Sequence, residues 1–102
     1  MPKRYVVATL DSLPVGTGRA FTVDGRQVGL FNVEGRVYAI DDICPHAGAS
    51  LADGALTGHV VSCPWHCADF DVTSGKVLCQ PANQDVQKFP VFVSGNSIEV
   101  EL

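Results

Sequence analysis

An all-β fold, a small antiparallel sandwich or barrel with a loop-rich insertion, is what this sequence predicts, on three observations. Short runs rich in valine, isoleucine and aromatic residues are spaced by glycine-containing turns. No stretch of useful length shows helical periodicity, and no internal repeat is present. From Asp41 to about Leu78 the strand pattern is interrupted by glycine, alanine, aspartate and two cysteine–histidine boxes. With 102 residues, 46% hydrophobic and 18% charged, residues 1–102 make one domain that can bury a modest core without obligatory disulfides.

In order, Tyr5 to Ala8 reads as a short strand, ended by Asp11-Ser12-Leu13-Pro14 and by Gly16 and Gly18. Arg19–Val23 and Gln27–Val33 form the arms of a hairpin, because Asp24-Gly25 between them is a strong two-residue turn signal. Glu34-Gly35 turns the chain into Val37–Ile40, which makes this part a meander of short antiparallel strands. His59–Ser62 is a strand that delivers the second box, and Asp69–Val72 leads away from it through Thr73-Ser74-Gly75. Pro81–Asp85 reads as loop. Lys88–Ser94 and Ser97–Glu101, joined by Gly95-Asn96, form a last hairpin with alternating Phe89, Val91, Val93 and Ile98, Val100.

The chemistry is concentrated in Cys44-Pro45-His46 and Cys63-Pro64-Trp65-His66, separated by the sixteen residues Ala47 to Ser62. Each box offers one soft thiolate and one imidazole, and two such loops can close on one metal centre from opposite sides. A proline after each cysteine fixes φ and removes a backbone N–H, so each ligand begins a rigid turn. Small residues crowd both boxes: Ala47, Gly48, Ala49 and Ser50 after the first, Cys67 and Ala68 after the second.

C-x-H, sixteen residues, then C-x-x-H running into Ala68-Asp69-Phe70-Asp71-Val72 and Ser74-Gly75, resembles the Rieske [2Fe–2S] proteins. Within them it is most similar to the small ferredoxins of bacterial ring-hydroxylating oxygenases, over nearly the whole chain. The resemblance implies a single [2Fe–2S] cluster, with Cys44 and Cys63 on one iron and His46 and His66 on the other. It implies an antiparallel β base topped by a cluster-bearing subdomain, roughly 41–78. It also implies a one-electron carrier, not an enzyme, standing between an NAD(P)H-dependent flavoprotein reductase and a terminal oxygenase, with the ligand histidines at an exposed tip.

Departures from the high-potential members of that family are specific. Those members carry an extra cysteine in each box, joined as a disulfide; Ala49 and Trp65 stand at these positions. Their second box continues with glycine, serine, any residue and tyrosine, whose hydroxyls donate to cluster and cysteine sulfur; here the positions hold Cys67, Ala68 and Phe70. The resemblance therefore implies a potential at the low end of the Rieske range.

The remaining features bound the partners. A net charge of −4 with scattered lysines and arginines disfavours nucleic acid. No apolar segment approaches the ~20 residues that span a bilayer, and Met1-Pro2-Lys3-Arg4 does not read as a secretion signal, so a soluble, cytoplasmic monomer is expected. In that compartment Cys67 and Cys79 read as small buried thiols and not as a disulfide. His59 reads as a strand or surface residue, and Asp69 and Asp71 as solvated or turn-capping groups. Trp65 suits either a docking surface or packing over the centre. Two other readings compete with the carrier. One is a small or regulatory subunit on the same fold, similar to that of assimilatory nitrite reductase. The other is a zinc-stabilised interaction module, since Cys2His2 also suits structural zinc. Usual zinc patterns pair C-x2–4-C with H-x3–5-H, which favours iron–sulfur here.

Overall fold

The computed structural model describes residues 3–45, 48–65, 68–78 and 84–102. Among them, β2 (Gly18–Val23), β3 (Arg26–Val33) and β4 (Arg36–Asp41) form the expected meander, extended on the far side of β4 by β9 (Lys88–Phe89). Both central residues of the first two hairpin turns have positive φ, Asp24 at 50° and Gly25 at 77°, Glu34 at 54° and Gly35 at 92°. That is the backbone of the two-residue turn whose twist matches the flanking strands.

The first strand does not join this meander. β1 (Arg4–Thr9) pairs with β11 (Ser97–Glu101), which pairs in turn with β10 (Val91–Ser94), so the two chain ends close a separate three-stranded sheet. The expected single strand Lys88–Ser94 is split at Pro90, which has no N–H to give to a ladder; before it Phe89 pairs with Ala39, and after it Val91 pairs with Val100. Val93, expected inside, is 48% exposed. A third sheet comprises β5 (Ala55–Thr57), β6 (Val60–Ser62), β7 (Asp69–Asp71) and β8 (Lys76–Val77), in that order. β5 lies where no strand was expected, and His59 stands in the turn before β6 instead of in the strand. Cys67, Cys79 and positions 81–83 of the expected loop lie outside the described residues.

Alternation along the central sheet feeds two cores. Val28 and Leu30 of β3, Val37 and Ala39 of β4 and Phe89 of β9 meet Ile98 and Val100 from the terminal sheet. The opposite faces, Phe31 and Ile40 with Val33 and Tyr38 beside them, meet Val61 and Phe70 from the third sheet and Val72 just after it. Covering both faces explains why β3 reads as a nearly continuous buried run.

Gly54 sets how closely the third sheet can approach. A Cβ built there would overlap the carbonyl oxygen of Ser62, the residue before Cys63. Gly54→Ala is expected to push backbone against backbone and to cost about 3 kcal/mol, the upper end for overpacking. Urea unfolding checks this as a fall in midpoint with an unchanged slope.

Candidate metal centre

Cys44 follows β4 and Cys63 follows β6, and the two loops that begin there are closed alike. The Cys44 N–H donates to the Ala49 carbonyl at 2.9 Å, and the Cys63 N–H donates to the Ala68 carbonyl at 2.9 Å. Beneath the first closure Ile43 bridges Ser50, and beneath the second Ser62 pairs with Asp69. Each loop is thus a hairpin tip with four residues between cysteine and alanine, C-P-x-x-x-A in both. This internal likeness was present in the sequence, masked by histidine at the third position of one loop and the fourth of the other.

Both cysteines are 1% exposed and belong to one core with Ala49, Ala68, Phe70, Leu51 and Val61. The small Ala49 and Ala68 share that core with Phe70, which is itself fully buried. The outward side is different: Pro45 is exposed, and Trp65 keeps 66% of its surface in solvent, which makes it a surface group and not a packing element. His46 and His66, the other expected ligands, lie outside the described residues, as do Ala47 and Cys67. Among the described residues no group of three metal-binding side chains assembles. The donors in view are the two thiol-bearing residues, and two buried cysteines supply half of the four ligands a [2Fe–2S] cluster takes.

Two supporting groups surround the loops. Asp42, fully buried between β4 and Cys44, was not singled out by the sequence. Asp71 at the end of β7 accepts from the Thr73 N–H at 2.9 Å and from its hydroxyl at 2.6 Å, and His59 Nδ1 lies 3.3 Å away. It is a capping group, as its place beside a turn implied. His59, with more than half of its side chain in solvent, serves this carboxylate.

An all-β chain with two buried cysteines at twin loop tips defines a class, the small β proteins built around a thiolate-held metal cluster. Comparison with known proteins narrows it. The model of the Rieske [2Fe–2S] domain matches residues 3–90. The ferredoxin component of the naphthalene 1,2-dioxygenase system of Pseudomonas aeruginosa is 36% identical, over 100% of this chain and 99% of that protein. The solved ferredoxin of carbazole 1,9a-dioxygenase from Nocardioides aromaticivorans IC177 superposes with a TM-score of 0.92 at 37% identity, covering 96% of each chain. A ferredoxin solved in a complex of reduced oxygenase and oxidised ferredoxin in carbazole 1,9a-dioxygenase superposes with a TM-score of 0.89 at 30% identity, covering 95% of this chain and 91% of that one.

The chain belongs to the Rieske [2Fe–2S] domain family. It is an electron carrier with one [2Fe–2S] cluster, not an enzyme in its own right. The zinc-module reading falls with that finding. Among the described residues no helix is long and apolar enough to cross a membrane.

Burial works to raise the Asp71 carboxyl, but the two Thr73 hydrogen bonds and His59 outweigh it and hold it below the ordinary value. A carboxyl lowered by folding stabilises the native state above its unfolded value and loses that contribution as pH falls through the lower native one. Urea midpoints of the wild type are therefore expected to drop between about pH 5 and pH 3 more steeply than those of Asp71→Asn, which has no charge to lose.

Proposed function

We propose that Cys44 and Cys63 bind one iron of the cluster and His46 and His66 the other, within a cluster-bearing subdomain spanning roughly 41–78. The chain passes single electrons from an NAD(P)H-dependent flavoprotein reductase to a terminal oxygenase. The observation that carries this is the twin closure, cysteine N–H to alanine carbonyl, which holds two buried cysteines at equivalent points of two loops in one core. Support for the oxygenase comes from relatives that are ferredoxin components of dioxygenase systems and from the neighbour solved together with an oxygenase. A cytoplasmic monomer completes the reading.

When bound, the cluster supplies a site for one electron, and two thiolates with two neutral imidazoles make it formally neutral when oxidised, which eases reduction relative to four thiolates. The chain's own residues set the rest. Cys44 and Cys63 keep the thiolates out of water, while Pro45 and Trp65 form an apolar collar in solvent where a partner docks. Ala68 and Phe70 are both buried in the core with Cys63, and neither carries a hydroxyl. With no donor there to stabilise the reduced state, the potential is low within the family's range of roughly −150 to +300 mV.

The visible spectrum and the paramagnetic resonance spectrum after dithionite reduction test the ligand set. A red-brown protein with a rhombic signal of low average g is expected, and Cys63→Ala is expected to be colourless. A signal typical of four-thiolate clusters would refute the histidine ligands. Ala68→Ser and Phe70→Tyr each restore one hydroxyl, and each is expected to raise the midpoint potential by on the order of 60 mV, the equivalent of about 1.4 kcal/mol for one electron. Trp65→Ala is expected to leave the unfolding free energy, measured in urea, within about 0.5 kcal/mol of wild type. It should also slow reoxidation of the reduced protein by its oxygenase, measured by stopped flow.

A further inference from the structure

Asp42 is fully buried, yet among the described residues no lysine, arginine or histidine pairs with it. The nearby Arg26 pairs instead with Asp41, at 3.5 Å. Buried carboxylates are rare without a counter-charge, so this one calls for a reason. Its oxygens act as acceptors. Oδ2 accepts from Gln27 Nε2 and from Ser50 Oγ, the latter at 2.5 Å, and Oδ1 accepts from the Ala52 N–H at 2.8 Å. Its own backbone adds two bonds, N–H to the Gln27 carbonyl at 3.2 Å and carbonyl from the Leu51 N–H at 2.7 Å. Gly29 leaves the space, since a Cβ there would stand 3.1 Å from Oδ1.

These bonds join three places: the start of β3, the end of β4 and the turn at Ser50–Ala52. The Cys44 loop, Ile43 to Ala49, lies between Asp42 and Ser50, so the carboxylate clamps both feet of that loop to the central sheet. At the second loop the residue two before the cysteine is Val61, an apolar core residue. A hairpin tip of this kind therefore closes without a carboxylate at that position. What distinguishes the first loop is a buried carboxylate on a residue whose Cα lies within about 7 Å of the Cys44 Cα, with its oxygens held at the foot of the loop. Inside a protein a negative charge at that range disfavours the arrival of another.

We propose that Asp42 is a positioning residue of the metal centre, clamping the Cys44 loop and, through a negative charge that no cation among the described residues pairs with, lowering the centre's reduction potential. This rests on Cys44 being a cluster ligand, as proposed above.

The test is the midpoint potential of the loaded full-length protein at one neutral pH, for wild type, Asp42→Asn and Ser50→Ala. Asp42→Asn keeps the shape and removes the charge, and its potential is expected to move up. Ser50→Ala keeps the charge and removes one hydrogen bond that partly neutralises it, so its potential is expected to move down. Each shift should change the oxidised-to-reduced ratio at the wild-type midpoint by at least about threefold. A role confined to stability would lower the unfolding midpoint of both variants and leave both potentials in place, and that result overturns the inference. If Asp42→Asn does not fold, Ser50→Ala decides alone, with an unchanged or raised potential counting against the proposal. Wild-type protein that shows four-thiolate ligation, or ligation without Cys44, would refute the ligand reading itself. A correctly loaded wild type with unshifted variants refutes only the role of Asp42.

Discussion

The central sheet is buried on both faces, and the rest of the molecule depends on that. Odd and even residues of β3 and β4 serve different cores: Val28, Leu30, Val37 and Ala39 face the terminal sheet, while Phe31 and Ile40 face the sheet that carries the cysteine loops. A slip of one residue in either strand would exchange the two sets, so the register is held from both sides. The first cysteine loop leaves the end of β4 directly, and it inherits that precision.

The second loop is held differently. It projects from the β6–β7 hairpin, whose Val61 and Phe70 face the core and whose Ser62 carbonyl lies against Gly54. Two hairpin tips from different sheets thus arrive at one apolar core, each closed by the same cysteine-to-alanine hydrogen bond. Rigid supports of this kind suit electron transfer, where a site that changes little between oxidation states needs little reorganisation. The apolar surround also keeps water from the thiol-bearing residues, and it makes the few polar groups nearby influential.

Among the described residues no buried side-chain nitrogen or oxygen lacks a partner. Asn32 and Asp42 are the buried polar residues, and each ties a loop to the central sheet. The Asn32 amide donates to the Leu13 carbonyl at 2.8 Å and accepts from the Gly35 N–H at 2.9 Å. Asp42 does the same for the loop that begins at Cys44. Hydrogen bonding here does what apolar packing cannot, since it fixes direction as well as distance.

By itself the sequence determined the hairpins and the two cysteine loops, because those follow from local rules. Asp24-Gly25 and Glu34-Gly35 select a turn with two positive φ values, and proline after each cysteine forces a turn at once. The Rieske spacing was legible for the same reason, since the two cysteine–histidine boxes stand in short, contiguous stretches of sequence. Pairing between distant segments was not legible. Whether β1 joined β2 or β11, and whether Lys88–Ser94 was one strand or two, depended on which sheet edge was free, and no window of sequence records that. The two-residue strand β8 and three-residue β5 are too short to show a period. Asp42 was invisible because an aspartate after a strand reads as a turn residue. Only the tertiary structure, by bringing Gln27, Ser50 and Ala52 around it and covering it with the core, made it a buried carboxylate at the foot of the Cys44 loop.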